Sequence, residues 1–332
     1  MSMPKKNKPK NRYKRSGFAA AVDALRYRAG EYFLRGFVAV LPRLPVTAVS
    51  TVTDGASVVT FRLLRRYRTR MERNLALALA EELPSETQRT AIIRRAWRNF
   101  AQSVVETTRW MEQPQELIVA SIAMEGEEHL KNALAKGKGV IALSAHLGNF
   151  TMIGRRLVVA GYPFTALVKH PRDKRFAEVM NEFRARVGIA TISAKPRREA
   201  ARGILRALRA NHVVLVIADE FKSGGVPVNF FGVPSLAPRG PATLALRTGA
   251  AVVPIFITRD GADRLTLRVE PEIELAQTGD LESDVAENTV KFTRCLEMMI
   301  RRYPDQWNWL GFKRADSKPR KRQSAEGRDP EA

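Results

Sequence analysis

Lys138-Gly139-Val140-Ile141-Ala142-Leu143-Ser144-Ala145-His146-Leu147-Gly148-Asn149-Phe150 is the stretch on which the fold reading turns. Lys138-Gly139 reads as a turn, and the apolar run from Val140 to Leu143 as a short buried strand. A helical pattern, Asn149–Ala160, follows it. The same alternation continues downstream. Short β-rich runs occur at Phe164–Val168, Val213–Ala218, Ala251–Ile257 and Arg264–Val269, with helical patterns at Arg175–Val187, Arg197–Ala210 and Pro241–Thr248 between them. A last helix runs from about Asp284 to Arg302 and ends before Pro304. Strand and helix in alternation predict an α/β fold with a mixed, largely parallel sheet flanked by helices.

Upstream the pattern is mainly helical. Pro42 and Pro45 interrupt it, and Leu83-Pro84-Ser85-Glu86 makes a turn before a helix carrying Ile92, Ile93, Trp97, Phe100, Val104 and Val105 at helical spacing. Most of these six are expected in the core. The predicted organisation is a basic tail over 1–15, a helical membrane-associating region over 16–111, an α/β domain over 112–313 and a second tail over 314–332.

The charge is unusual for a globular chain. Across 332 residues, 56 Lys and Arg face 34 Asp and Glu, a net charge of +22. Such a field favours an anionic partner: nucleic acid, an anionic membrane or an acidic protein. Residues 5–15 hold seven basic side chains and no acid, and 313–322 hold six against Asp316 alone; both read as disordered or membrane-adsorbed. The middle of the chain stays basic without them.

No run of about 18 uncharged apolar residues occurs, so a spanning helix is not expected. Asp23, Arg26, Arg28, Glu31 and Arg35 break any signal-peptide core. Residues 17–41, with Phe18, Leu25, Phe33 and Phe37 among basic residues, suit either an interfacial helix or an amphipathic helix packed on the core. The single cysteine, Cys295, excludes an internal disulfide and a Cys-rich metal site. The four histidines share no close metal-ligand spacing, so no metal is expected.

His146 differs from the other histidines in context. A side chain at the C-terminal end of a strand in an α/β sheet projects into the crevice where ligands bind. Gly148 allows substrate or backbone to approach closely, and Asn149 is placed to cap the next helix. A neutral imidazole there is suited to take a proton from a hydroxyl. For an isolated histidine after a strand, a structural role is the plainer reading.

Ser-Ala-His-Leu-Gly-Asn-Phe (144–150) resembles the first block of the lipid A biosynthesis acyltransferase family, within the wider lysophospholipid acyltransferase group. Further segments fit in order. Arg73-Asn74-Leu75 is similar to the end of the family's basic helix, and Phe164–Pro171 resembles its second block. Asp219–Gly232, with Phe230-Phe231-Gly232, resembles the third block, and Pro241–Pro254 the fourth. Tyr303-Pro304-Asp305-Gln306-Trp307-Asn308-Trp309 resembles the C-terminal signature. The likeness covers roughly residues 20–313.

The resemblance implies direct transfer of a fatty acyl chain from acyl carrier protein or acyl-CoA to a hydroxyl of a lipid A-like membrane glycolipid. It implies no cofactor beyond that co-substrate, an anionic lipid partner, and a peripheral or monotopic place on the cytoplasmic face of the inner membrane. In the family pattern a histidine and an acidic residue five positions later form a dyad, and donors from basic side chains or backbone N–H groups hold the oxyanion. Here position 151 is Thr151. A hydroxyl can hold a tautomer but cannot stabilise imidazolium by charge. Three readings stay open: another carboxylate serves, with Asp219 or Glu220 the candidates because they end the strand Val213–Ala218; His146 acts alone; or the protein is a non-catalytic relative.

The second block also departs from the pattern. Lys169 stands where the family usually carries Arg, and Arg172 is placed to supply the fork that lysine lacks. Both are candidates for an oxyanion or phosphate contact, against a plain solvated role. Gly148, Asn149, Phe150 and Thr151 are candidates for substrate contact. Phe230 and Phe231 are expected in an acyl pocket or the core, and Arg239 at an anionic headgroup or on the surface. Trp307 and Trp309 alternate like a half-buried segment and also suit a membrane interface. A phospholipid or aminolipid acceptor is the nearest alternative. Nucleic-acid binding is the remote one, because no recognition-helix, zinc-finger or RNA-binding motif is present.

Overall fold

The computed structural model describes residues 40–110, 113–170, 174–221, 225–261 and 264–312, together with Arg28, Tyr32 and Gly36. Both basic tails, nearly all of the expected 17–41 helix, and Arg172 lie outside the described residues. In chain order the helices are α1 (Val46–Leu63), α2 (Arg65–Leu79), α3 (Glu86–Trp110), α4 (Gln115–Ser121), α5 (Glu127–Ala135), α6 (Ile153–Val159), α7 (Lys174–Arg186), α8 (Arg197–Arg209), α9 (Gly240–Thr248) and α10 (Leu281–Arg302). The strands are β1 (Ile122–Glu125), β2 (Val140–Ser144), β3 (Phe164–Val168), β4 (Ala190–Ser193), β5 (Val213–Ile217), β6 (Val226–Phe230), β7 (Val233–Ala237), β8 (Ala251–Arg259) and β9 (Leu265–Val269).

Seven strands form one sheet in the order β1-β9-β8-β2-β5-β3-β4, and every pair is parallel except β8 with β9. The predicted α/β class with a mixed, largely parallel sheet is the fold observed. β2 is buried along its whole length, as a strand covered by helices on both faces must be. Its odd residues Ile141 and Leu143 join a core with Val214, Val216, Val252 and helices α8 to α10. Its even residues Val140 and Ala142 join the opposite core with Val213, Leu215, Val253 and helices α4 to α6. β6 and β7 form a separate antiparallel hairpin. Among the described residues no helix is long and apolar enough to cross a membrane.

The helices of 46–110 share the first of these cores. Phe61, Met71, Leu75 and Ile93 pack in one cluster with Trp309 and Phe312. Within α3 the expectation of a mostly buried apolar row holds only in part. Ile92 and Ile93 are buried, but Phe100 is 63% exposed and Val104 48% exposed. Helical spacing places residues on one face; it does not say what covers that face. Trp307 and Trp309 are fully buried, which corrects the half-buried reading of that segment. Their ring N–H groups do not need the membrane interface, since they donate to Asp219 Oδ2 at 2.7 Å and Pro304 O at 2.7 Å.

Asn74 of α2 binds the C-terminal segment to the helical layer. Its buried Nδ2 donates to Trp309 O at 2.6 Å and Phe312 O at 3.3 Å, carbonyls that ordinary secondary structure leaves unpaired. Replacing Asn74 with Ala is expected to cost about 1–3 kcal/mol of stability by orphaning them. A urea unfolding midpoint unchanged from wild type would contradict this role.

Candidate active site

Register alone brings two distant residues together. β2 and β5 pair in parallel with Ser144 opposite Ile217. Two residues further along each strand stand His146 and Asp219, side by side at the C-terminal edge of the sheet. A slip of one residue in this pairing would send one side chain to the opposite face.

Asp219 is buried to 3% exposure and spends both oxygens locally. Oδ1 lies 2.8 Å from His146 Nδ1. Oδ2 accepts from the His146 backbone N–H at 2.8 Å and from Trp307 Nε1–H at 2.7 Å. An ionised carboxylate only accepts, so the proton of a neutral His146 sits on Nδ1 and leaves Nε2 as the basic nitrogen. The ring is 28% exposed and rests edge-on against Phe150, with centroids 4.9 Å apart.

The loop after β2 is pinned by the C-terminal segment. His146 O accepts from Asn308 N–H at 3.1 Å, and Gly148 N–H donates to Gln306 O at 2.8 Å. Gln306 also exchanges two hydrogen bonds with the Arg259 backbone. Gly148 has φ +56°, and a β-carbon there would stand 1.8 Å from Ile257 O. The close approach that Gly148 permits is thus to the protein's own backbone.

Asn149 does not cap the helix that follows it, contrary to expectation. Its side chain serves a polar network instead. Asn149 Oδ1 accepts from Thr151 Oγ1 at 2.7 Å and Thr107 Oγ1 at 2.9 Å, while Nδ2 donates to Glu106 Oε2 at 3.1 Å. The two threonine oxygens lie 2.5 Å apart. Glu106 in turn receives Arg259 Nη2 at 2.7 Å, with both side chains largely buried. Thr151 is engaged with this network, while the carboxylate at Nδ1 of His146 comes from Asp219.

The remaining candidates fall in different places. Glu220 is exposed, as is Lys169 just past the end of β3. Phe230 and Phe231 lie in an aromatic cluster with Trp307, Trp309 and Phe312, so they belong to the core. Arg239 is on the surface, paired with Glu282 at 2.7 Å. Cys295 is no nucleophile: burial, then the charge of Glu270, push its thiol up to about 12.

Beside His146 opens an apolar cavity of about 220 Å³. Phe150 and Thr151 line it near the histidine, and Ile217, Leu215, Val168, Ala166 and Phe164 form its floor along β5 and β3. Thr107 and Thr108 of α3 and Met180, Phe183 and Arg184 of α7 complete the wall. Gly154 belongs here because a side chain would strike the Phe164 ring, 2.5 Å from its β-carbon position. An apolar slot leading away from a histidine–carboxylate pair suits an alkyl chain whose reactive end is polar.

Residues 15–314 match the family model described as bacterial lipid A biosynthesis acyltransferase. The chain belongs to this family. Among proteins similar to it, the phosphatidylinositol mannoside acyltransferase of Mycolicibacterium smegmatis is 29% identical over 185 residues, which cover 55% of this chain and 59% of the relative. The protein of the same description from Mycobacterium tuberculosis is 29% identical over 56% of this chain and 57% of its own length. The match therefore spans somewhat over half of these mycobacterial proteins. The lipid A biosynthesis lauroyltransferase of Escherichia coli is 23% identical over 83% of this chain and 88% of its own.

Glu106, Thr107, Arg259 and Trp307 are parts of the site that the sequence did not single out as such. Trp307 lies in a recognisable block, but only the fold shows that its N–H reaches Asp219. Trp307→Phe keeps the ring and removes that donor to a buried carboxylate, and is expected to cost about 1.5–3 kcal/mol of stability. Denaturant unfolding measures it, and a loss under about 0.5 kcal/mol would contradict the charged hydrogen bond.

Proposed function

We propose that this protein transfers a fatty acyl chain from the thioester of acyl carrier protein or CoA to a hydroxyl of a membrane glycolipid, with His146 as general base and Asp219 as its partner. The supporting observation is the 2.8 Å contact between Asp219 Oδ1 and His146 Nδ1, made by a carboxylate that is itself buried. In the proposed reaction Nε2 takes the proton of the acceptor hydroxyl as its oxygen attacks the thioester carbonyl. Asp219 stabilises the imidazolium that forms. The tetrahedral intermediate collapses with loss of the thiolate, which recovers the proton from His146. Lys169, at the end of the neighbouring strand β3, is the proposed contact for the oxyanion or a donor phosphate.

Membership of the family supports acyl transfer, and the names of the relatives support a glycolipid acceptor. The buried carboxylate also argues against a non-catalytic relative, a reading suggested by Thr151. His146→Ala is expected to abolish transfer from lauroyl-CoA or acyl carrier protein to glycolipid. Asp219→Asn is expected to lower kcat by about 10³–10⁴-fold, by analogy with loss of the orienting carboxylate in a serine-protease triad. Thr151→Val and Glu220→Gln are expected to stay within about tenfold of wild type. Equal losses in Thr151→Val and Asp219→Asn would overturn the assignment of the partner.

We further propose that the face of α1 and α3 away from the sheet rests on an anionic bilayer. It exposes Val52, Val59, Leu63, Phe100 and Val104, with Arg62, Arg65, Arg66 and Arg70 exposed beyond. α1 buries Thr53 and Ser57 along with Val49 and Phe61, and leaves Val52, Val58, Val59 and Leu63 exposed. The double variant Val52→Glu, Leu63→Glu is expected to bind phosphatidylglycerol vesicles about tenfold or more weakly in sedimentation assays. Undiminished binding would remove this face from the reading.

A further inference from the structure

Helix α8 carries a basic face that neither the packing of the fold nor the proposed chemistry at His146 uses. Its buried side is made by Ala200, Gly203, Ile204 and Leu208. Arg198, Arg202, Arg206 and Arg209 follow one another at intervals of four, four and three residues, which puts them in one stripe about half a turn round the helix from that side. All four are exposed, and among the described residues none of them meets a carboxylate. Other helices of the molecule set a cation one turn from an acid: Arg68 with Glu72, Lys131 with Glu127, and Lys291 and Arg301 with Glu287 and Glu297. Like charges one turn apart destabilise a helix, and the N-terminal end where Arg198 stands disfavours a cation. An anionic partner would relieve both effects.

The stripe differs from the basic face of α1 and α3. Among the described residues no large apolar side chain is exposed between Val119 and Leu281. A surface that seats in a bilayer combines basic with apolar residues, whereas α8 offers charge alone and so suits the polar surface of an acidic protein.

Sheet register ties the stripe to the cavity. Ala166 pairs with Leu215, so Val168, which lines the cavity, stands level with Ile217, two residues short of Asp219. Ser193 pairs with Val168, and the Ala194 N–H donates to Val168 O at 2.7 Å. Lys169 and Lys195 come next on the two strands, both exposed, and α8 starts two residues later. Because α8 joins the end of β4 to the start of the parallel strand β5, it runs away from this edge, and the stripe covers about 16 Å from Arg198 to Arg209.

We infer that the arginine stripe of α8 is the docking surface for an acidic acyl carrier protein, which lies along it and presents its thioester to the cavity at Val168. This rests on the acyl-transfer reading, which it deepens by choosing the carrier protein as donor. CoA delivers the same thioester with no protein surface to cover the stripe.

The test measures transfer to glycolipid from lauroyl-acyl carrier protein and from lauroyl-CoA side by side, together with equilibrium binding of lauroyl-acyl carrier protein. Wild type is compared with the triple variant Arg202→Glu, Arg206→Glu, Arg209→Glu and with the milder triple Arg202→Gln, Arg206→Gln, Arg209→Gln. The glutamate triple should lose about thirtyfold or more in kcat/KM with the carrier protein, through KM, and stay within about threefold of wild type with CoA. The glutamine triple should lose about fivefold or more, again with the carrier protein alone. Added salt should lower the wild-type kcat/KM more steeply with the carrier protein than with CoA. If the triples lose carrier-protein binding while no protein, wild type included, transfers acyl groups, the docking surface stands and the acyl-transfer reading fails. If transfer proceeds but the folded triples keep the wild-type kcat/KM with the carrier protein, or lose both donors equally, the docking surface is overturned. A wild type that uses lauroyl-CoA but neither binds nor uses the carrier protein would overturn it too. So would weaker sedimentation of the glutamate triple with phosphatidylglycerol vesicles at unchanged carrier-protein kinetics, which would give the face to the bilayer.

Discussion

The Asp219 carboxylate joins three parts of the chain that lie far apart in sequence: the end of β5, the loop after β2 and the C-terminal signature around Trp307. Its two oxygens take one ring nitrogen, one backbone N–H and one indole N–H. At 3% exposure this carboxylate has little water to fall back on, so each donor matters to the others. The position of His146 is thereby set by strand register and by the C-terminal segment together. The C-terminal segment is anchored in turn by Asn74.

Around this centre the structure separates two kinds of environment. On one side the network of Glu106, Arg259, Asn149, Thr107 and Thr151 holds the segment after His146 against α3 and β8. On the other side β3, β5 and α7 enclose an apolar slot. In the proposed reaction the polar group and the acyl chain of one thioester meet these two environments at their boundary, where His146 stands. The sheet gives both their placement, because Asp219, Ile217 and Leu215 follow one another along one face of β5.

Much of this layout is legible in the sequence. The apolar runs ending at His146 and at Asp219 mark parallel strands by composition, and a strand end in an α/β sheet is where chemistry gathers. Two limits remained. Strand order is not written in any one segment, so Asp219 and Glu220 stood as equal candidates until the pairing of Ser144 with Ile217 placed Asp219 beside His146. The short strands β1 and β4 and the helix α5 carry too weak a periodicity to stand out in the sequence. Helix α3 shows the converse limit: its spacing is correct, yet Phe100 and Val104 face outward because nothing described packs over them. The network partners Glu106 and Arg259 look like ordinary surface charges in a chain this basic, and only tertiary contact distinguishes them.

The central claim is that Asp219 holds His146 in the Nδ1–H form, and the protonation state of that one ring tests it most directly. Nitrogen-15 NMR of the imidazole-labelled protein at neutral pH should show Nδ1 protonated and Nε2 bare at His146. That signature should be lost in Asp219→Asn and kept in Thr151→Val. Finding the proton on Nε2 in the wild-type protein, or a tautomer indifferent to Asp219, would contradict the dyad.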